Sequence, residues 1–193
     1  MKWIFSRRRT KPIEQLEDSL EALRSATESV STSWRIARQM LDLAGVERHD
    51  AVYGLGSGDG RIPILAAQEF GCRAVEIERN CDLWHYSQQR VGDMELESQM
   101  NFQCMDVFHE DLRPATVVPL YLLSAVNGHL QWRMASHLRP GSRIVALDSA
   151  VPGWRPARTT RLISEGNVEY TIFLYRRPVL QAAPEVNRCD QLG

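Results

Sequence analysis

Apolar positions along this chain follow two spacings in turn. Ile13, Leu16, Leu20 and Leu23 recur at helical intervals, and Ile36, Met40 and Leu43 do so within residues 33–43, ahead of a glycine stop at Gly45. These stretches predict two N-terminal helices. From residue 51 short apolar runs alternate with amphipathic stretches. The pattern predicts strands at 51–55, 73–77, 102–105, 116–121 and 142–147, and helices at 61–70, 80–91 and 126–138. Ile62, Leu65 and Phe70 supply the apolar face of the 61–70 helix, and Pro63 falls in its first turn, where a missing N–H costs little. Two β-rich runs, 158–163 and 169–175, flank Ser164-Glu165-Gly166-Asn167 and read as a closing antiparallel pair. Alternation on this scale implies an α/β fold, a doubly wound parallel sheet with helices on both faces.

The junction between the first strand and its helix carries the strongest chemical signal. Val52-Tyr53-Gly54-Leu55-Gly56-Ser57-Gly58-Asp59-Gly60-Arg61 delivers four glycines from an apolar strand into an amphipathic helix. Glycines at 54, 56, 58 and 60 allow positive φ and remove side chains, so a bulky ligand can lie against the main chain at the helix N-terminus. The dinucleotide fingerprint G-x-G-x-x-G does not fit. Counted from Gly54 its third glycine falls on Asp59, and counted from Gly56 it falls on Arg61. About twenty residues further on, Glu78 ends the second strand, where an acid can accept hydrogen bonds from both hydroxyls of a ribose. Glu78 also suits the start of the helix that follows.

Composition narrows the partners. The 193 residues carry a formal net charge of -1, so no global basic field points to nucleic acid. Cys72, Cys81, Cys104 and Cys189 lack C-x-x-C spacing, which argues against a structural zinc site and fits a reducing, cytoplasmic setting. Cys72 and Cys104 are expected in the core. Trp3, Ile4 and Phe5 precede the cluster Arg7-Arg8-Arg9, but the acidic, polar stretch 12–28 follows where an export signal needs apolar residues. The tail offers at most weak peripheral contact with an anionic membrane surface. The predicted organisation is a basic tail and helix over 1–29, a single domain over 30–178 and a tail over 179–193.

Ligands of doubly wound sheets bind at the carboxyl ends of the strands. Asp106 follows the third strand, where it either lies beside a base or caps the next turn. Tyr121 and Asn127 bracket the exit of the fourth strand, and Asp148 ends the fifth. Core packing for Tyr121, and loop positions for Asn127 and Asp148, are the competing readings. The histidines show no ligand spacing, so no metal is expected.

Five segments taken in order, 53–61, 115–123, 126–127, 138–143 and 151–154, resemble the successive motifs of one methyltransferase group. The group is similar to the ATP synthase c-subunit and adenine nucleotide translocase lysine methyltransferases and their small prokaryotic relatives, and the likeness spans residues 30–178. It implies a Rossmann-like, seven-stranded sheet that binds S-adenosylmethionine (SAM), and methylation of a lysine on a protein acceptor, which could be membrane-embedded. Gly54, Gly56, Ser57, Gly58, Asp59, Gly60, Glu78 and Asp106 then become the cofactor residues, and Tyr121, Asn127 and Asp148 those that orient the acceptor amine. The chain departs from the group at definite places. Gly54 stands where relatives carry an acid, Glu76 replaces a glycine, Ser124-Ala125 replaces Pro-Glu, and the covering segment 30–33 lacks its prolines. Two other readings stay open: a small-molecule methyltransferase, and a non-catalytic binding protein that retains the fold.

Overall fold

A computed structural model describes residues 33–121, 128–163 and 167–177. The N-terminal tail, the predicted helix around Ile13–Leu23, Ser124-Ala125, Asn127, most of the hairpin turn and the C-terminal tail lie outside the described residues. Among the described residues four helices alternate with seven strands: α1 (Trp34–Ala44), β1 (Ala51–Leu55), α2 (Arg61–Phe70), β2 (Arg73–Glu78), α3 (Cys81–Asp93), β3 (Met100–Cys104), β4 (Val117–Leu120), α4 (Gly128–His137), β5 (Arg143–Leu147), β6 (Arg158–Ile163) and β7 (Glu169–Arg176). Local chemistry accounts for the helix boundaries. The Ser33 hydroxyl accepts from Ile36 N at 3.3 Å and Asn80 accepts from Asp82 N at 3.0 Å, so both helices start on a side-chain cap. Gly45 and Gly71 close α1 and α2 in the left-handed conformation.

The strands form one sheet in the order β3-β2-β1-β4-β5-β7-β6. All neighbours are parallel except β5–β7 and β6–β7, which are antiparallel; the sequence pattern predicts the second of these pairs. Alternation along the strands feeds two faces. Val52, Val117, Val145 and Leu147 pack with Ile36, Met40 and Leu41 of α1 and Leu65 of α2. Tyr53, Leu55, Val118, Ile144 and Ala146 pack with Leu130 and Met134 of α4 on the opposite face. Ile64, Ala74, Val91 and Met100 continue the first face between α2, α3 and the β2–β3 edge.

The order in which strands are added to the sheet reverses between β1 and β4. β1 leads outward through β2 to β3, and β4 returns to the other side of β1. This is the topological switch point at which the carboxyl ends of strands leave a crevice. Val52 with Val117 is the β1–β4 register pair, and Pro119, two residues later in β4, has no N–H with which to extend it. The registered β1–β4 pairing therefore does not extend to the end where the glycine loop begins.

One sequence expectation changes. Cys104 is exposed at the end of β3 and forms a disulfide with Cys81, with Cα atoms 5.8 Å apart. The alternation that buries β2 and β3 runs out at the sheet edge, so Cys104 is not a core residue. Cys72 is buried as expected, and burial, with the Asp50 carboxylate adding, pushes its thiol up to about 11. The β3–β4 connection carries turns.

Candidate cofactor and acceptor site

The glycine loop leaves β1 at Leu55 and enters α2 at Arg61. Gly56, Gly58 and Gly60 take φ values of 65°, 62° and 73°, a region that other residues adopt only with strain. Gly56 N and Ser57 N both donate to Ile77 O, at 2.8 and 3.2 Å, which seats the loop on the end of β2. A Cβ added at Gly56 or Gly58 would meet nothing within 4 Å, so the backbone here forms an open cradle. The Ser57 hydroxyl oxygen is buried and finds no partner among the described residues.

Gly54 is a glycine for a different reason. Its φ is not positive, but a Cβ there would lie 2.6 Å from Pro63 Cγ and 3.2 Å from Ser57 Cβ. The ring of α2's first-turn proline fills the space that a side chain on β1 would need. The expectation of positive φ thus holds for three of the four glycines.

Glu78 bonds to the backbone of the two loops beside it. One carboxylate oxygen accepts from Gly58 N at 2.9 Å and the other from Asn80 N at 2.8 Å, at 9% exposure. It joins the glycine loop to the start of α3, with acceptor capacity left on each oxygen. Asp106 caps the turn after β3, accepting from Phe108 N at 3.0 Å, with Arg79 4.0 Å away on its second oxygen. The Cys81–Cys104 disulfide spans the same two loops, because Glu78 and Cys104 are register partners.

Asp59 takes a place the sequence did not indicate. Its carboxylate is chelated by Arg61, at 2.9 Å from Nε and 2.6 Å from Nη2. Arg90 of α3 reaches its backbone oxygen at 3.2 Å. Trp34 lies over both guanidinium groups, at 5.8 Å from Arg61 and 5.1 Å from Arg90. Asp59 therefore clamps the loop from behind. Arg90 and Trp34 carry no motif, and only their convergence in space marks them.

Beneath the loop lies Glu76, fully buried on β2, in register with Gly54. The Ser87 hydroxyl of α3 donates to one of its oxygens, and the other finds no partner among the described residues. Burial raises its carboxyl from the usual 4.5 to about 8, opposed by the Ser87 hydrogen bond, reinforced by Glu78 and Asp59, and again opposed by Arg90.

On the acceptor side, Tyr121 leaves β4 half-buried against the α1 face of the core. Asp148 follows β5 with φ 58°, exposed, and accepts from Thr171 N at 2.7 Å. That bond commits one oxygen of Asp148 to the β7 backbone. Tyr121 and the glycine loop follow the carboxyl ends of the adjacent parallel strands β4 and β1, and Asn127 lies outside the described residues. Among the described residues no group of three or more His, Cys, Asp or Glu could hold a metal, and no helix is long and apolar enough to cross a membrane.

The family model of the ANTKMT methyltransferase domain matches residues 54–158. A protein-lysine N-methyltransferase of Saccharolobus islandicus is 33% identical over 147 residues, which is 76% of this chain and 91% of that protein. The ATP synthase c-subunit lysine N-methyltransferase of Mus musculus is 30% identical over 113 residues, 58% of this chain and 45% of that protein, so the chain spans about half of this longer relative. Among solved structures, an RNA methyltransferase from Salinibacter ruber in complex with S-adenosyl-L-homocysteine superposes with a TM-score of 0.73 at 36% identity, covering 81% of this chain and 97% of that one. TrmN from Thermus thermophilus, at 18% identity and a TM-score of 0.65, shares the fold.

Proposed function

Because this chain belongs to the ANTKMT methyltransferase family, we propose that it transfers a methyl group from SAM to a lysine amine of a protein acceptor. The observation that carries the reading is the open cradle of Gly56 and Gly58, rimmed by Glu78 at the switch point of the sheet. The backbone there accepts close approach by a large ligand, and the buried Ser57 hydroxyl, unpartnered among the described residues, offers a further hydrogen bond. Glu78 is placed to hold a ribose and Asp106 to border a base. Gly54 and Gly60 shape the loop, and Asp59 stiffens it through Arg61 and Arg90.

Bound SAM supplies an already activated methyl group, so the protein needs chiefly to align the amine with it and exclude water. A free lysine amine has a pKa of about 10.4, and partial desolvation in the crevice favours its neutral, nucleophilic form. Tyr121 and Asn127 orient that amine, and the second oxygen of Asp148 adds an acceptor at the rim. The basic, aromatic N-terminal tail would bring the enzyme to an acceptor at a membrane surface in the cytoplasm.

The test is incubation with methyl-labelled SAM and lysate, followed by acid hydrolysis. Label in methyl-lysine supports the reading, and label confined to small molecules or nucleic acid overturns it. An RNA acceptor is the second reading because a relative at 36% identity is described as an RNA methyltransferase. Loss of labelled product to ribonuclease and not to protease would select it, although a chain of net charge -1 lacks the usual electrostatic support.

A further inference from the structure

Glu76 is a titratable group that the transfer chemistry does not use, and its surroundings are unusual. It lies on the same face of β2 as Ala74 and Glu78, directly beneath the start of α2. A Cβ built on Gly60 would collide with the Glu76 carboxyl and the Ser87 hydroxyl. These two side chains thus form the floor on which the last glycine of the loop rests. Gly60 is also the N-cap of α2 and makes no side-chain cap bond. The loop is held from the side by Glu78 on Gly58 N, from behind by Arg61 and Arg90 on Asp59, and from below by Glu76.

We propose that Glu76 is a positioning residue of the donor site: as a neutral acid beneath Gly60 it sets the height of the glycine loop, and its ionisation lowers affinity for the donor. The charged groups that face it explain the direction. Glu78 on its own strand and Asp59 in the loop are both carboxylates, and Arg90 of α3 is the one cation among the described groups acting on it. Arg90 is already engaged on Asp59. Ser87 of α3 offers a hydroxyl. An anion at Glu76 is therefore repelled from two sides with its second oxygen unpaired among the described residues, and the backbone lying directly against it is that of Gly60.

This inference rests on the proposed SAM site. The experiment measures the dissociation constant for S-adenosyl-L-homocysteine calorimetrically from pH 6.5 to 9.5 for the native protein and for Glu76→Gln, which mimics the neutral acid. The ligand's own amine titrates identically in both, so the difference between the curves isolates Glu76. With the carboxyl titrating near 8, the competent fraction falls to about one in ten by pH 9. Native affinity should therefore drop about tenfold relative to the variant. Parallel curves overturn the proposal and leave the donor site intact, whereas absence of binding by both proteins at every pH overturns the donor site and this inference together. If Glu76→Gln does not fold, a ¹³C carboxyl titration of the native protein decides. Linkage requires the product to raise the titration midpoint of Glu76, and an unmoved midpoint refutes the coupling.

Discussion

Substituting Gly54 places an atom where Pro63 already stands. The new Cβ would lie 2.6 Å from Pro63 Cγ, 3.3 Å from its Cδ and 3.2 Å from Ser57 Cβ, against the ~3.5–4 Å of an unstrained carbon contact. The pyrrolidine ring cannot rotate away, because it is closed onto the α2 backbone. Overpacking of this kind destabilises by about 1–3 kcal/mol, and the lower unfolded-state entropy of alanine returns roughly 0.4–1 kcal/mol of it. Gly54→Ala should therefore destabilise by about 1–2 kcal/mol. Pro63→Ala removes a buried ring at a cost of about 1 kcal/mol. The double variant should recover most of the Gly54→Ala loss, a coupling of at least about 1 kcal/mol in a cycle of urea unfolding curves. Single losses that add to within about 0.5 kcal/mol would show that Pro63 does not occupy the space. The same crowding bears on the acid that relatives carry at this position. Gly54→Asp alone reports steric clash and a carboxylate forced in beside Glu76, so its effect on SAM affinity is meaningful only in the Pro63→Ala background.

The Glu76 carboxyl, raised from 4.5 to about 8 by burial, is protonated in the folded state and ionised in the unfolded state between those values. Its contribution to stability is thus greatest below pH 4.5 and falls as pH rises toward 8. The native protein should lose about 2.5 kcal/mol between pH 5 and pH 7 relative to Glu76→Gln, and the same pH trend in the urea midpoints of both proteins would contradict the assignment. Breaking the Cys81–Cys104 disulfide, which closes a separation of 23 residues, should lower stability by about 3 kcal/mol. Thermal melts with and without dithiothreitol measure this, and Cys104→Ser should be insensitive to the reductant. Glu78→Ala removes the acceptor of Gly58 N, a charge-assisted bond worth about 1.5–3 kcal/mol, and should weaken SAM binding by about tenfold or more. An unchanged dissociation constant would remove Glu78 from the cofactor site.

The elements of the sheet were legible in the chain because their causes are local. Val52 to Leu55, the glycines after them and the amphipathic run of α2 follow one another within a few residues, and Ser33 and Asn80 cap helices whose N–H groups are two or three positions away. Glu78 was legible too, since a βα unit brings the end of β2 beside the end of β1 whatever the rest of the chain does. Other features depend on packing between distant segments. Asp59 has the residue type of a ligand, yet Arg61 chelates its carboxylate and Arg90, 31 positions on, ties its backbone oxygen to α3. Cys104 reads as a strand residue of the core, yet it lies at a sheet edge beside Cys81. Asp148 stands at the right strand end, but β7 returns antiparallel and takes one of its oxygens. Glu76 and Gly54 look like separate departures from the family pattern, far apart along the chain. The β1–β2 register makes them neighbours, with Pro63 of α2 filling the space over Gly54 and Gly60 resting on Glu76. Turn chemistry and hydrophobic period act over a few residues and determined the order and kind of the elements. The environment of each polar side chain was decided by the tertiary structure, because charge, volume and solvent exclusion at a site are set by whichever segments the fold packs against it.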